Sequence, residues 1–302
     1  MKVLNKDELK VAEGVLFKHL PKSYKVYGFL YGFNRNKPNT LEVVVDSWPD
    51  FKVIICRPDP KVSSSHRVSV GYVATWLFDL VFIFQDKLAQ QLWKKVSYYS
   101  MDAQVLQEMF TEEDVLDWST DFTVGGLDKS NEPTLKEVSS IRQVSITTFT
   151  SVHLLFLADS SHLLTPTFGS ELESRISSLN LSHVDLVNKT WKFGGNEQGY
   201  NIIKHLICNF PTCCITDRQG EPVSWILVYD YGALGLLYTL PEHRGKGYAK
   251  VLVSTMAKRF NDEGHPVFCF IEEENMVSYR LFKNLGFTED PSYRAKWFNV
   301  RV

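Results

Sequence analysis

At 302 residues, with 44% hydrophobic and 23% charged residues, the chain is long enough for about two soluble domains, each with its own core. A formal net charge of −2 excludes a general nucleic-acid-binding surface, so any basic site must be local. The five cysteines, an odd number with no C-x-x-C spacing, point to a reducing compartment and away from a disulfide scaffold.

Met1 to Lys10 is mixed in charge and has no apolar h-region, so it is not a signal peptide, and it lacks the Arg-rich look of a presequence. Lys6 to Leu20 has helical periodicity, with Leu9, Ala12, Leu16 and Leu20 on one face and Pro21 past its end. Tyr24 to Phe33, rich in aromatic residues, reads as a strand. Leu41 to Val45 and Phe51 to Arg57 are further strands, separated by the turn Asp46-Ser-Trp-Pro49, which makes a meander. Val68 to Phe84 is nearly all apolar. It is short for a membrane helix, which needs about 20 residues, and Asp79 would be costly in lipid. Two readings stand for about 68–85. It is a buried helix or strand, or it is translated intron sequence: Arg67-Val-Ser69 can be encoded by a splice-donor-like string, and Leu80 to Gln85 by a pyrimidine tract ending in CAG.

Gln85 to Phe110 reads as mostly helical, Thr111 to Trp118 as an acidic turn, and Val144 to Phe156 as a β-branched strand. Ser160 to Ser178 reads as a linker, so the expected domains are 1–175 and 176–302. Beyond it the punctuation is regular. Strands are expected at Leu181 to Trp191, Cys213 to Thr216, Val223 to Tyr229, Gly232 to Leu240, Pro266 to Ile271 and Lys296 to Arg301. Helices are expected at Glu197 to Phe210, Ala249 to Glu263 and Met276 to Leu285, the last followed by Gly286 as its left-handed stop. Asn180-Leu-Ser182 and Asn188-Lys-Thr190 match the glycosylation pattern by chance, given no secretory signal. No internal repeat is evident.

The most informative stretch is Thr239-Leu-Pro-Glu-His-Arg-Gly-Lys-Gly-Tyr-Ala249, between an apolar strand and an amphipathic helix. Backbone N–H groups at a helix N-terminus, two glycines without Cβ atoms, and the charges of Arg244 and Lys246 together suit a pyrophosphate. The competing reading is a glycine-rich turn with no ligand. The histidines are scattered with no Cys/His spacing, so no metal site is expected.

Arg244, Gly247 and Ala249, in that strand-to-helix context, with Asn275 and Leu285-Gly-Phe287 further on, resemble the GCN5-related N-acetyltransferase superfamily. Leu20-Pro-Lys-Ser-Tyr-Lys-Val-Tyr-Gly28, Val45-Asp-Ser-Trp-Pro-Asp-Phe-Lys52, Asn188-Lys-Thr-Trp-Lys-Phe-Gly-Gly-Asn-Glu197, Gly220-Glu-Pro-Val-Ser-Trp225 and Tyr238 to Arg244 resemble the glycine N-acyltransferase family. The likeness spans most of the chain except about 60–95 and 125–175. It implies an α+β protein: an acetyltransferase-type mixed sheet flanked by helices after residue 175, and before it an α/β domain open to being a degenerate relative of the same fold.

The resemblance also implies transfer of an acyl group from acyl-CoA, as cosubstrate and with no prosthetic group, to the α-amine of glycine or a similar small amino acid. It implies a monomer with no nucleic-acid partner and no membrane span, placed in the mitochondrion, with the cytoplasm as alternative. Coenzyme A is expected on Thr239, Leu240, Arg244, Gly245, Lys246, Gly247, Tyr248, Ala249 and Asn275. Its pantetheine arm would lie where the strands carrying Leu240 and Phe270 splay, with an N–H near Tyr238 or Leu240 on the oxyanion. The family's base, a glutamate after the glycine that opens the fourth strand, is here Ala233, after Gly232. The superfamily's tyrosine acid is here Phe282. Substitute candidates are Glu242, His243 and Tyr279, and the triplet Glu272, Glu273 and Glu274, each also readable as a surface, capping or packing residue. Trp191, Phe193 and Trp225 are candidates for an acyl pocket or for core. Two other readings stay open: an enzyme of the same fold acting on another amine, and an acyl-CoA-binding protein that has lost turnover, the latter suggested by Ala233 and Phe282.

Overall fold

A computed structural model describes residues 1–61 and 94–302. The apolar stretch about 68–85 and the start of the helix expected from Gln85 lie outside the described residues. The first half runs β1 (Lys2–Val3), α1 (Lys6–Phe17), α2 (Tyr24–Asn34), β2 (Leu41–Val45), β3 (Val53–Pro58), β4 (Lys95–Ser100), α3 (Ala103–Thr111), β5 (Phe122–Asp128), α4 (Glu132–Ile141) and β6 (Ser145–Phe156). After a short helix, α5 (Ser170–Glu173), the second half runs β7 (Ile176–Ser177), α6 (Val184–Thr190), α7 (Glu197–Asn209), β8 (Thr212–Thr216), β9 (Pro222–Val228), β10 (Leu234–Thr239), α8 (Tyr248–Asp262), β11 (Phe268–Glu272), α9 (Met276–Lys283), β12 (Thr288–Glu289) and β13 (Ala295–Arg301). Among the described residues the same order, one strand, two helices, three strands, helix, strand, helix and strand, occurs twice, the second time with the two-residue β12 added before the last strand. The repeat is one of topology, with no counterpart visible in the residues.

Among the described residues all thirteen strands form one sheet, in the order β1-β2-β3-β4-β5-β13-β6-β11-β10-β9-β8-β7, with β12 also on β6. Two neighbouring pairs are parallel, and both are short: β4 with β5 at Lys95↔Thr123 and Val96↔Val124, and β10 with β11 at Leu234↔Cys269 alone. The halves exchange their final strands. β6 runs beside β11, while β13 lies between β5 and β6.

Several elements differ from expectation. Tyr24 to Asn34 is a helix and not a strand. Eight of its eleven residues are buried, so no polar face advertised its period. The helical spacing is nonetheless there: Gly28 and Gly32 are one turn apart, and a Cβ on Gly28 would stand 1.8 Å from the Tyr231 carbonyl oxygen. The glycines are where the helix touches the turn opening β10, and tertiary contact overrides their low helix propensity.

Lys95 to Ser100 is a strand and not helix, because Val96, Ser97 and Tyr98 are buried between β3 and β5. β5 and α4 had no counterpart in the sequence reading, since Gly125-Gly126 in β5 and a Pro in the first turn of α4 look like breakers. Leu181 to Trp191 is a short 3-10 turn and α6 rather than a strand, with Val184 and Val187 buried one turn apart. Asn180 caps that turn through Ser182, and Asn188 accepts from the Gly195 N–H at 3.0 Å and donates to the Asn196 carbonyl at 3.1 Å. Both asparagines therefore have structural work. Within 160–178, the expected linker, lie a 3-10 turn, α5 and β7. All five cysteines are free. No helix among the described residues is long and apolar enough to cross a membrane.

α8 lies on one face of the second half through Val251, Leu252, Met256 and Phe260, against Leu234, Cys269 and Ile271. On the opposite face α2, with Ala12 and Leu16 of α1 in the same cluster, brings Tyr24, Tyr27 and Leu30 against Tyr231, Ala233 and Phe268. That second face is the seam between the halves.

Candidate active site

β10 and β11 are paired through one rung and then part. β10 carries a register shift between Gly235 and Tyr238, with Leu236 at φ 49. A bulge of this kind bends the strand away from its neighbour. The fork opens toward the strands' C-terminal ends, and the turn that follows β10 leads into the cradle.

There, Gly245 and Gly247 have φ of 77 and 78, and a Cβ at either would meet no atom within 4 Å. Gly247 is the N-cap of α8, with no side-chain cap and no acidic residue in the first turn. The N–H groups of Gly245, Lys246, Gly247, Tyr248 and Ala249 donate to no acceptor among the described residues. Five consecutive donors at the positive end of a fifteen-residue helix form an anion-binding concavity. The equivalent point of the first half behaves differently. Asp102 caps α3, its carboxylate accepting from the Gln104 and Val105 N–H groups at 2.9 and 3.2 Å. The protein's own anion fills that helix end, so the repeat provides one cradle and not two.

The other expected residues fall at definite places. Arg244 Nε donates to the Thr239 carbonyl at 3.1 Å, with its guanidinium over the Tyr238 ring at 5.6 Å. Lys246 Nζ is 3.5 Å from His243 Nδ1. Leu240 donates its N–H to the Val223 carbonyl at 3.0 Å, so it does not supply the oxyanion donor considered above. The Thr239 hydroxyl is 2.7 Å from that of Ser224. Tyr248, the first residue of α8, is buried in the core, and Arg175 donates to its hydroxyl at 3.3 Å. Asn275 caps α9, accepting from the Ser278 N–H at 3.1 Å.

Glu242, exposed, and His243 sit in the turn after β10, beside the cradle. Five residues of strand, about 16 Å, separate that end from the fork. Tyr279 donates to Glu289 Oε1 at 2.5 Å, and Glu289 Oε2 is 3.1 Å from His153 Nδ1 and 3.4 Å from Arg294. The bond to Glu289, and then burial, raise the Tyr279 pKa. The Glu289 carboxyl is held below the ordinary range: burial opposes its charge, but the Tyr279 and His153 hydrogen bonds and Arg294 outweigh it. Phe282 is 3% exposed and packed edge-on against Phe287, a core residue. Trp225 is also core, stacked on Tyr238, whereas Phe193 is exposed beside Phe149 at 4.9 Å.

Two titratable groups sit on the seam face of the fork. Glu272 ends β11, two residues after Phe270. Its Oε2 accepts from Lys192 Nζ at 2.7 Å, and its Oε1 is buried with no hydrogen-bond partner. A buried carboxylate oxygen left unpaired calls for a reason. Burial, and then the charges of Asp230 and Glu272, push up the pKa of Tyr229, whose ring lies across Gly235 of β10. Ala233, 1% exposed, opens the same strand and packs on this face. The sequence named Glu272 only as one of three glutamates. Position at the strand end and burial separate it from Glu273 and Glu274.

The other group, Lys25, was missed. Its Nζ is 3.7 Å from the ring centroid of Tyr231, 4.5 Å from that of Trp297 and 5.9 Å from that of Phe270. Burial draws its pKa down to about 7, with Lys95 acting the same way and Asp230 and Cys56 opposing. A lone charge inside the aromatic run from Tyr24 to Phe33 was the available signal.

Parallel strands that splay after one rung, a bulge in the first of them and a glycine cradle on the helix between them define the GCN5-related N-acetyltransferase fold. A family model described as aralkyl acyl-CoA:amino acid N-acyltransferase matches residues 1–74 and 85–211, and one described as FR47-like protein matches 214–297. The chain belongs to the aralkyl acyl-CoA:amino acid N-acyltransferase family, and it is an acyltransferase that uses acyl-CoA and an amino acid. It is 28% identical to mouse glycine N-acyltransferase, with 96% of this chain and 95% of that one covered. It is 27% identical to bovine glycine N-phenylacetyltransferase over 96% and 95%. An X-ray structure of a Drosophila protein shares its fold at a TM-score of 0.74 and 16% identity, covering 99% of this chain and 97% of that one.

Proposed function

We propose that this acyltransferase acylates glycine or a similarly small amino acid, with Glu272 as the general base. The names of its relatives support the acceptor. The observation that carries the base is the buried, unpartnered Oε1 of Glu272 on the seam face of the fork, where Ala233 replaces the glutamate expected from the family resemblance. On this reading coenzyme A lies with its pyrophosphate on the 245–249 donors and its pantetheine arm running into the fork beside β10. The α-ammonium donates to Glu272 Oε1 and gives up a proton there. The neutral amine then attacks the thioester carbonyl carbon; as the C–N bond forms and the C–S bond breaks, the new amide nitrogen sheds its extra proton to solvent and the leaving thiolate takes one up from solvent. Lys192 holds the other carboxylate oxygen and fixes the orientation of the base. Thiolate is a tolerable leaving group, so the acid lost with Phe282 costs less than a lost base.

The test is thiol release by purified protein over a panel of acetyl-, benzoyl- and phenylacetyl-CoA with free amino acids. Glycine should support release, and Glu272→Gln should lower kcat about 10²- to 10⁴-fold, with coenzyme A affinity unchanged. A Gln variant of undiminished kcat overturns the base. Ala233 and Phe282 favour a second reading, an acyl-CoA-binding protein without turnover. Tight coenzyme A binding with no release for any pairing would establish it.

A further inference from the structure

We propose that Lys25 is the receptor for the acceptor's α-carboxylate, so that the enzyme recognises amino acids, and not amines in general, through a cation presented by the first half of the repeat. This rests on the acceptor reading above.

The ammonium is walled by Tyr231, Phe270 and Trp297, from three separate elements, and has no carboxylate within ion-pair distance among the described residues. Lys25 as a whole is only 5% exposed. Aromatic faces favour a cation, but they cannot replace the hydrogen-bond acceptors that an ammonium loses on leaving water. The position is nevertheless built for it. The lysine stem crosses β5 where that strand has two glycines, and a Cβ on Gly126 would come within 2.4 Å of Lys25 Cδ. Gly28, one turn along α2, seats the helix directly on the Tyr231 backbone. A hydrophobic side chain would fill this place with less penalty than an ammonium, which points to binding and not to packing.

The location gives the ligand. Phe270 is the first residue of β11 beyond the only rung shared with β10, so the ring under the ammonium marks the base of the fork. Glu272 follows two residues later on the same face, about 6.7 Å along the strand. A small α-amino acid, with a hydrogen bond of about 2.8 Å at each end, spans groups on that scale. Its ammonium would meet the unpartnered oxygen of Glu272 and its carboxylate would meet Lys25. An amine without a carboxylate would leave Lys25 buried and unpaired in the complex. The carboxylate also opposes the effect of burial and keeps the lysine protonated.

The experiment compares glycine with glycinamide, which keeps the amine and the size but lacks the carboxylate charge, in wild type and in Lys25→Met. Wild type should prefer glycine. The variant should raise the KM for glycine about 30-fold or more, equivalent to about 2 kcal/mol, with glycinamide kcat/KM and coenzyme A affinity unchanged. Lys25→Arg should recover part of the preference. Equal losses for glycine and glycinamide, or an unaltered glycine KM, overturn the proposal. Binding is read separately from turnover by calorimetry of glycine into coenzyme A-loaded protein. Heat with wild type but not with Lys25→Met supports the carboxylate receptor even if no thiol is released, an outcome that would sink the catalytic reading alone. Equal heats from both proteins sink the receptor whatever the turnover. If Lys25→Met does not fold, the wild-type comparison decides: equal kcat/KM for glycine and glycinamide refutes the inference, and a preference for glycine supports it.

Discussion

Replacing Gly28 by alanine should destabilise the protein, although alanine is the better helix former. The added Cβ would stand 1.8 Å from the Tyr231 carbonyl oxygen and 2.6 Å from its carbon. Both partners are backbone, so neither can rotate aside. The Tyr231 turn is tied by the Gly232 N–H to the Tyr229 carbonyl at 2.8 Å and the Tyr229 N–H to the Ala233 carbonyl at 2.9 Å. Helix and turn must part by more than an ångström, which belongs at the upper end of overpacking costs, about 3 kcal/mol. Alanine's advantage inside a helix returns about 1 kcal/mol. The expected net loss is therefore about 2 kcal/mol. Gly14, exposed in the middle of α1, has no atom within 4 Å of its would-be Cβ, so Gly14→Ala should gain about 0.5–1 kcal/mol. Equilibrium urea titration should place the midpoints in the order Gly14→Ala, wild type, Gly28→Ala. A Gly28→Ala midpoint at or above wild type would refute the close approach and, with it, the placement of Lys25.

Two further outcomes are expected. Gly247→Ala puts a side chain at φ 78, which costs the fold about 1–2 kcal/mol, and points a methyl into the open cradle; the coenzyme A dissociation constant, read by calorimetry, should rise at least about tenfold, and an unchanged value would show that the cradle is elsewhere. His265 packs against Tyr31 and Phe260, and burial, reinforced by Arg35, Arg259 and Lys37 and opposed by Glu263, lowers its pKa. The unfolded chain then binds the proton more readily, so this contribution is complete above the unfolded pKa near 6.5 and is lost as pH falls below it. Urea midpoints of His265→Phe should fall less than those of wild type between pH 7 and pH 5, and parallel curves would contradict the assignment.

How far the sequence could be read depended on how local each feature is. The cradle was legible because its geometry is held by two glycines on either side of Lys246 and a helix end, all within a few residues. The elements from Glu197 onward were legible because their apolar faces have clear periods and turn residues between them. α2 was not, since eight of its eleven residues are buried and leave no polar side to set a phase, and Gly28 acts through a contact with Tyr231, some two hundred positions away. α6 was hidden by valines whose β preference loses to burial one turn apart. In the candidate site, Glu272 was visible as chemistry but not as position. The setting of Lys25 is assembled from β5, the turn before β10, β11 and β13, which only the folded sheet brings together.

The exchange of final strands bears on how the protein is made. β13 joins β5 to β6, bringing Phe122 opposite Val300, and it follows every other strand in the chain. During synthesis the first half emerges with β5 lacking one neighbour and β6 waiting for β11. Neither half can complete its hydrogen-bonded ladder until the other has been translated. The nascent chain therefore carries exposed strand edges for most of its time on the ribosome, and enzyme assembly is gated by its last strand.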